Sequence, residues 1–287
     1  MAQQTSTITS RDNRWLKTFR AALQGTGPAP DEPIGVEGPK LVADALRSGL
    51  EAEALLISVD APSEAADIQR QVSESGAAGR QPRILRTTDK LFRSVSGTES
   101  PQGVAALFRQ PAWGIENVLR GPGMMREGTP LVMVMVAVQD PGNVGTILRS
   151  AEAFGATGAV ATRGTADPWS PKALRASAGS ALRLPLLRGM AVPILLVQLR
   201  MARVRIFAAS SVAGTGERTA AGLETQADLR EPAAIFVGNE GAGLPEEIER
   251  AADAVLSIPT EGAVESLNAG VAASIVLYEA ARQRSSL

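Results

Sequence analysis

The apolar run Leu-Val-Met-Val-Met-Val-Ala-Val, residues 131–138, leads directly into the polar turn Gln-Asp-Pro-Gly-Asn, residues 139–143. An unbroken apolar run is typical of a β-strand that is covered on both faces, as in a parallel sheet. Periodicity predicts a helix over 144–154 and, after it, further strands at 158–161, 205–209, 234–237 and 254–258. This alternation predicts an α/β domain with a mostly parallel sheet and helices on both faces.

A shorter alternation of helices and strands precedes this domain. Leu16, Phe19 and Leu23 share one face of a predicted helix over 9–24, and short strands are predicted at 52–59, 83–86 and 104–108. We therefore predict a small α/β domain over residues 1–108, a Pro- and Gly-rich linker over 109–130, and the larger domain over 131–287.

The composition excludes several kinds of chemistry. The 287 residues include no cysteine and no histidine. Disulfides, thiol nucleophiles, Ser-His-Asp triads and ordinary zinc sites are therefore excluded, and we expect no bound metal. The N-terminus has no apolar signal-peptide core, and every apolar run is too short to cross a bilayer. We expect a cytoplasmic protein without membrane association.

Charge is distributed unevenly although the formal net charge is only −1. Between residues 163 and 205, positive side chains far outnumber the single acidic one, Asp167. Such clustering favours a basic face that can bind phosphates. Solvated arginines on helix surfaces are an equally good interpretation of this pattern.

Three polar loops follow predicted strands, at 139–145, 238–244 and 257–268. Ligands bind beyond the carboxyl ends of strands in such sheets, so we expect the three loops to form one site. Ser266 is placed to cap the closing helix, with Asn268 in its first turn. The Rossmann and P-loop fingerprints are both missing, which argues against a dinucleotide- or nucleotide-dependent enzyme.

The three loops resemble the three motifs of the SpoU/TrmH family of RNA ribose 2′-O-methyltransferases. Residues 141–151 (Pro-Gly-Asn-Val-Gly-Thr-Ile-Leu-Arg-Ser-Ala) are similar to the first motif and residues 235–244 (Ile-Phe-Val-Gly-Asn-Glu-Gly-Ala-Gly-Leu) to the second. Residues 258–284, with Glu-Ser-Leu-Asn at 265–268, are similar to the third. The small first domain resembles, more loosely, the substrate-binding module that often precedes this domain.

The resemblance implies a C-terminal trefoil knot that binds S-adenosylmethionine. The resemblance places the cofactor against the backbone at Gly238, Ile258 and Leu267. It also implies that Arg149 is the central catalytic residue and that Asn143 holds it. The other candidates for the catalytic site lie in the second and third motifs: Glu240, Ser266 and Asn268.

A guanidinium is a poor base, so Arg149 is better suited to stabilising an alkoxide and binding a phosphate, although a deprotonated arginine stays an alternative. We assign Lys172 and Arg175 to RNA phosphates. We expect ribosomal RNA as the substrate, and the resemblance implies a homodimer formed through the knotted domain. The alternatives are a tRNA 2′-O-methyltransferase and a non-catalytic RNA-binding protein with the same fold.

Overall fold

The structure is a computed structural model that describes residues 5–75, 81–122, 129–210, 227–239, 241–259 and 267–285. The chain divides into two compact units. The first consists of Met1–Ala112 and Trp169–Arg183, and the second of Trp113–Pro168 and Leu184–Leu287. Among the described residues, no helix has both the length and the apolar character that a membrane span requires.

The first unit contains a five-stranded mixed sheet. Its strands are β1 (Thr5–Ile8), β2 (Ile34–Glu37), β3 (Ala52–Ser58), β4 (Arg83–Thr87) and β5 (Val104–Phe108). They lie in the order β1-β4-β3-β5-β2, with β4 parallel to β1 and β3, and β5 antiparallel to β2 and β3. Its helices are α1 (Arg14–Gln24), α2 (Pro39–Arg47), α3 (Glu64–Glu74), α4 (Asp89–Arg93), α7 (Pro171–Ala176) and α8 (Ser180–Arg183).

Helix α1 is amphipathic, as predicted. Leu16, Phe19 and Leu23 are buried and pack in one cluster with Leu56 of β3 and Phe92 of α4. The helix begins at Arg14, later than predicted, because the Asn13 side chain accepts a hydrogen bond from the Trp15 backbone N–H and caps it there.

Two strands of this unit were not predicted. Strand β1 buries only Ile8, so it lacks the alternation that identifies a half-buried strand. Strand β2 lies within residues 25–38, whose Pro- and Gly-rich composition, Gly35 included, is typical of turns. That glycine serves close packing instead, since a Cβ there would lie 2.7 Å from the Ala22 side chain.

The second unit contains a six-stranded sheet in which every pair of neighbours is parallel. The strands are β6 (Leu131–Met135), β7 (Gly158–Thr162), β8 (Leu186–Met190), β9 (Arg205–Ser210), β10 (Ala233–Val237) and β11 (Ala254–Ser257). Their order is β11-β9-β10-β6-β7-β8, which places the predicted apolar strand β6 in the interior of the sheet. The predicted α/β fold with a mostly parallel sheet is confirmed.

Helices cover both faces of this sheet. The described helices of the unit are α5 (Ile115–Arg120), α6 (Pro141–Ala153), α9 (Val192–Met201), α10 (Glu246–Ala251) and α11 (Ala269–Ser285). Helices α5, α9 and α10 pack on one face, in a cluster with Val132 and Val134 of β6. Helices α6 and α11 pack against each other and contact the sheet strands as well.

The predicted linker over 109–130 contains part of this core. Its helix α5 buries Val118 completely, and Val118 belongs to the same hydrophobic cluster as β6. The Gly- and Pro-rich composition around the helix is typical of a linker, so the sequence did not predict this packing. Residues 123–128 of the predicted linker lie outside the described residues.

The division into units also differs from the predicted domains in one segment. Residues 169–183 lie inside the predicted second domain, yet they pack with the first unit. Leu174 of α7 and Leu23 of α1 line the same small crevice, and Arg183 lies 3.9 Å from Asp44 of α2. Such long-range packing leaves no local signal in the sequence.

The C-terminal end of α11 is anchored to the amino ends of the strands. Arg284 donates hydrogen bonds to four backbone carbonyls, those of Thr129, Pro130, Leu229 and Glu231. Its burial lowers the pKa of the guanidinium. This anchor fixes the axial position of the closing helix, whose other end faces the carboxyl edge of the sheet.

Candidate active site

The three predicted loops leave the same edge of the sheet. Val237, the last residue of β10, lies opposite Met135 of β6, and the Val136 N–H extends the pairing by donating to the Val237 carbonyl at 2.9 Å. Ser257, the last residue of β11, lies opposite Ser210 of β9. Because all these strands are parallel, their carboxyl ends lie together.

Helix α6 begins at Pro141, three residues earlier than predicted. Proline is favoured at the first helical position because its φ angle is already helical and its missing N–H is not needed there. Asn143 therefore lies in the first helical turn rather than in a loop.

Asn268 caps helix α11. Its Oδ1 accepts hydrogen bonds from the backbone N–H groups of Gly270 at 2.9 Å and Val271 at 3.3 Å. Helix α11 begins at Ala269, so Asn268 precedes the first turn in which it was predicted to lie. The cap is thus two residues later in the chain than the predicted Ser266.

The cap also fixes which way the Asn268 amide points. Since its oxygen faces the helix, its Nδ2 group faces α6 and donates to Asn143 Oδ1 at 2.9 Å. One side chain therefore orders the start of α11 and joins it to the first turn of α6.

The two helices stay in contact beyond this asparagine pair. The hydroxyls of Ser150 and Ser274 lie 2.7 Å apart, and the rings of Phe154 and Tyr278 meet edge to face at 5.8 Å. A Cβ at Gly270 would lie 3.1 Å from the Thr146 side chain, so a glycine there allows the close approach. These contacts hold the asparagine pair in register.

Arg149 lies on the exposed side of α6. Within the described part of the chain, no hydrogen bond or ion pair holds its guanidinium. Asn143 and Arg149 are six residues apart, which is about 9 Å along a helix and roughly 120° around it. Asn143 Oδ1 accepts instead from Asn268, so the role of Asn143 in holding Arg149 stays a prediction. An exposed guanidinium is suited to binding an anionic ligand.

The residues predicted to contact the cofactor lie at the same edge. Gly238 follows β10 and is buried, whereas Ile258 and Leu267 are each half-buried. A Cβ at Gly238 would lie 2.3 Å from the Gly243 carbonyl oxygen, because the loop after β10 folds back over this position. The glycine is thus required by the shape of the loop.

This edge combines apolar side chains, backbone groups and two linked amides, and the exposed Arg149 lies further along α6. Among the described residues, no group of three or more carboxylates lies close enough to hold a metal ion. The arrangement suits a ligand with a flat apolar part and a second, anionic partner.

Comparison with known proteins decides the family. The model of the SpoU rRNA Methylase family matches residues 130–278, and that of the MRM3-like substrate binding domain matches residues 32–106. The chain belongs to the SpoU rRNA methylase family. It is 31% identical over 272 residues to the 23S rRNA (guanosine(2553)-2′-O)-methyltransferase RlmP of Bacillus subtilis, covering 94% of this chain and 97% of that protein.

Solved structures of SpoU-type enzymes have the same fold throughout. An rRNA methyltransferase from Sinorhizobium meliloti superposes with a TM-score of 0.80 at 31% identity, covering 97% of this chain and 98% of that one. The SpoU methyltransferase AviRb from Streptomyces viridochromogenes, in complex with AdoMet, superposes with a TM-score of 0.79 at 26% identity, covering 96% and 99%. The recognition of the SpoU/TrmH family from three short motifs is confirmed.

The predicted site residues of this SpoU chain are not all brought together. Asn143, Gly238, Ile258 and Asn268 belong to the second unit and lie at its carboxyl edge, whereas Arg149 lies roughly two turns from the start of α6. Two further catalytic candidates, Glu240 and Ser266, lie outside the described residues, as does Glu265.

The predicted RNA-binding residues belong to the other unit. Lys172 and Arg175 are exposed on α7, which packs in the first unit. The structure therefore assigns them to the unit that contains the match to a substrate-binding domain, rather than to the unit with the asparagine pair.

One residue of the site was missed. Asn239 was treated only as part of a Gly-rich turn, yet its side chain joins two of the three loops by donating to the Ala137 carbonyl at 3.0 Å. An asparagine between a buried strand and a run of glycines predicts a turn. Its hydrogen bond to Ala137, 102 residues away in the chain, cannot be predicted from that local pattern.

Proposed function

We propose that the protein transfers a methyl group from S-adenosylmethionine to a ribose 2′-hydroxyl of ribosomal RNA. The observation that carries the proposal is the asparagine pair, which joins α11 at the carboxyl edge to α6, the helix that carries the exposed Arg149. Membership of the SpoU rRNA methylase family and the 23S rRNA substrates named for its relatives support the same reaction.

The residues at the edge suit S-adenosylmethionine. The half-buried Ile258 and Leu267 offer apolar contact to an adenine ring, and the backbone of a strand end offers hydrogen-bond donors and acceptors. AviRb, which has the same fold, was crystallised with this cofactor. Bound there, S-adenosylmethionine would supply a methyl group already activated by its sulfonium, so the residues of the site need not protonate a leaving group.

The task left to the protein is to align the 2′-hydroxyl and to stabilise negative charge on its oxygen. Arg149 is suited to this task, because its guanidinium is exposed and not held by another described residue. It stabilises the developing alkoxide and binds the adjacent phosphate through its planar fork of N–H donors. The asparagine pair fixes the two helices that frame the hydroxyl.

The first unit selects the RNA. It contains the match to a substrate-binding domain, and Lys172 and Arg175 project from its surface as phosphate contacts. Replacing both by alanine weakens RNA binding and reduces its salt dependence while leaving cofactor affinity unchanged.

The function is tested by incubating the purified protein with labelled S-adenosylmethionine and, separately, with ribosomal and transfer RNA from cells that lack it. We expect label at one ribose of the large ribosomal RNA, located by mapping 2′-O-methyl groups. Label in transfer RNA alone contradicts the substrate but not the reaction. Cofactor binding without methylation of any RNA supports the non-catalytic alternative and contradicts the proposal.

Two copies of the chain associate through the face of α11 that this chain leaves exposed. Val271 is 46% exposed and Tyr278 56% exposed, and Tyr278 already contacts Phe154 of α6. Apolar surface of this kind favours a protein partner. Sedimentation of Tyr278→Glu should show monomers where the native chain shows dimers, whereas Val59→Glu, at an equally exposed valine of the first unit, should stay dimeric. A monomeric native chain contradicts the dimer.

The trefoil knot, the cytoplasmic location and the lack of a metal stay predictions.

A further inference from the structure

The Asn239 side chain links the loop after β10 to the segment after β6. Its Nδ2 donates to the Ala137 carbonyl at 3.0 Å, and its Oδ1 accepts from the backbone N–H groups of Gly241 and Ala242, each at 2.9 Å. Its backbone exchanges two hydrogen bonds with Gly243, at 3.0 and 3.1 Å. The amide therefore shapes its own loop with its oxygen and holds the neighbouring loop with its nitrogen.

The residue that it holds has an unusual backbone conformation. Ala137 has a φ angle of 51°, in the left-handed region that residues with a Cβ rarely adopt. Left-handed alanine persists where surrounding contacts enforce it. Here the bond from Asn239 fixes the Ala137 carbonyl on one side, while on the other the Ala166 N–H donates to the Val138 carbonyl at 2.9 Å.

The position of Ala137 determines where α6 starts. Only three residues separate Ala137 from Pro141, the first residue of the helix that carries Asn143 and Arg149. A change in the Ala137 peptide therefore changes the direction in which the chain enters α6. Asn239 in turn follows Gly238 at the cofactor side of the site.

We propose that Asn239 is a positioning residue for methyl transfer, which acts by holding Ala137 in its left-handed conformation and thereby fixing α6 relative to the cofactor loop. The inference rests on the proposed function, because it concerns the rate of that reaction. It predicts that the loss of this one donor lowers the rate of transfer without a matching loss of cofactor affinity.

The variants separate the two roles of the amide. Asn239→Asp keeps the size of the side chain and the oxygen that accepts from Gly241 and Ala242, but it places an anionic oxygen against the Ala137 carbonyl. Asn239→Ser keeps an acceptor near the loop but cannot reach Ala137. Asn117→Asp is the matched control, because Asn117 is exposed on α5 and its Oδ1 accepts from the Gly114 N–H at 2.8 Å.

The experiment measures single-turnover methyl transfer at saturating S-adenosylmethionine, with cofactor affinity by calorimetry and unfolding by thermal melt. We expect rates about tenfold to a hundredfold below native for Asn239→Ser, and lower still for Asn239→Asp, since misplacement by an ångström has effects of this size. Cofactor affinity should stay within about threefold of native. Asn117→Asp should transfer at the native rate.

A second substitution tests the route through Ala137. Glycine adopts positive φ without strain, so Ala137→Gly should restore most of the rate that Asn239→Ser loses. Absence of this rescue, or a native rate in Asn239→Asp, overturns the inference while the proposed function stands. If Asn239→Asp unfolds below the assay temperature, the transfer rates of Asn239→Ser with and without Ala137→Gly test the inference on their own. A native chain that methylates no RNA overturns both proposals together.

Discussion

Replacing Asn268 tests whether the asparagine pair does more than cap a helix. Asn268→Ala removes the cap of α11, which costs about 1 kcal/mol, and the hydrogen bond to Asn143, which costs roughly another 1 kcal/mol. A loss of about 2 kcal/mol should lower the melting temperature by roughly 4 to 8 °C in a unit of this size. Asn268→Asp keeps the capping oxygen and adds a negative charge at a helix N-terminus, which is favourable by about 0.3 to 1 kcal/mol.

The two variants should therefore separate stability from catalysis. Asn268→Asp should melt close to the native temperature, yet its oxygen faces Asn143 Oδ1 without a donor between them. We expect its methyl-transfer rate to fall by about tenfold to a hundredfold, because a lost hydrogen bond within the site misplaces the reacting groups. The assay pairs a thermal melt with single-turnover transfer. A native rate for Asn268→Asp would refute the reasoning, as would a rate that follows the melting temperature in both variants.

Three further substitutions test the surroundings of the site. Gly238→Ala should weaken cofactor binding by at least about tenfold in calorimetry, because its Cβ would overlap the Gly243 carbonyl, whereas Gly241→Ala, whose Cβ has ordinary contact at 3.6 Å, should bind as the native chain does. Arg284→Met should lose about 3 kcal/mol in denaturant unfolding, since four carbonyls lose their donor, and Arg284→Lys should lose less. Hydrogen bonds from Arg282 lower the pKa of Glu279 below its usual 4.5. The contribution of ionised Glu279 to the free energy of unfolding is therefore fully present above pH 4.5 and is lost as the pH falls through the lowered pKa. Glu279→Gln should flatten this acid-side fall in the melting temperature; an unchanged pH profile would contradict the role given to Glu279.

The architecture of the second unit follows from local pattern. The uninterrupted apolar run that forms β6 predicts a strand covered on both faces, and β6 is an interior strand of an all-parallel sheet. The polar loops after β6, β10 and β11 begin at one edge because parallel strands end together. These features depend on residue periodicity and on the alternation of strands and helices, both of which can be recognised in the sequence.

Features that depend on long-range contact were not predictable in this way. Strand β1 exists because it pairs with β4, and α5 is a helix of the core although its flanks have the composition of a linker. Residues 169–183 pack with the first unit, and nothing in their own sequence indicates this. Within the site, the hydrogen bonds from Asn268 to Asn143 and from Asn239 to Ala137 each join residues more than a hundred positions apart.

The relation between Arg149 and Asn143 shows the limit of motif-based reasoning. The motif places both residues in one site, and the structure places both on α6. Helical geometry then directs them to different sides of the helix. Asn143 accepts a hydrogen bond from Asn268 of α11, and we propose that Arg149 binds the substrate.

We propose that Arg149 stabilises the reacting oxygen and takes no part in holding the cofactor. The most direct test measures methyl transfer and S-adenosylmethionine affinity in the same preparation of Arg149→Ala, with Arg149→Lys beside it. We predict that the rate falls by about a hundredfold to a thousandfold, the range expected when one donor to a developing oxyanion is removed. Cofactor affinity should stay within about threefold of native, and Arg149→Lys should recover part of the rate. A native rate in Arg149→Ala, or a loss of cofactor affinity as large as the loss of rate, would contradict the account.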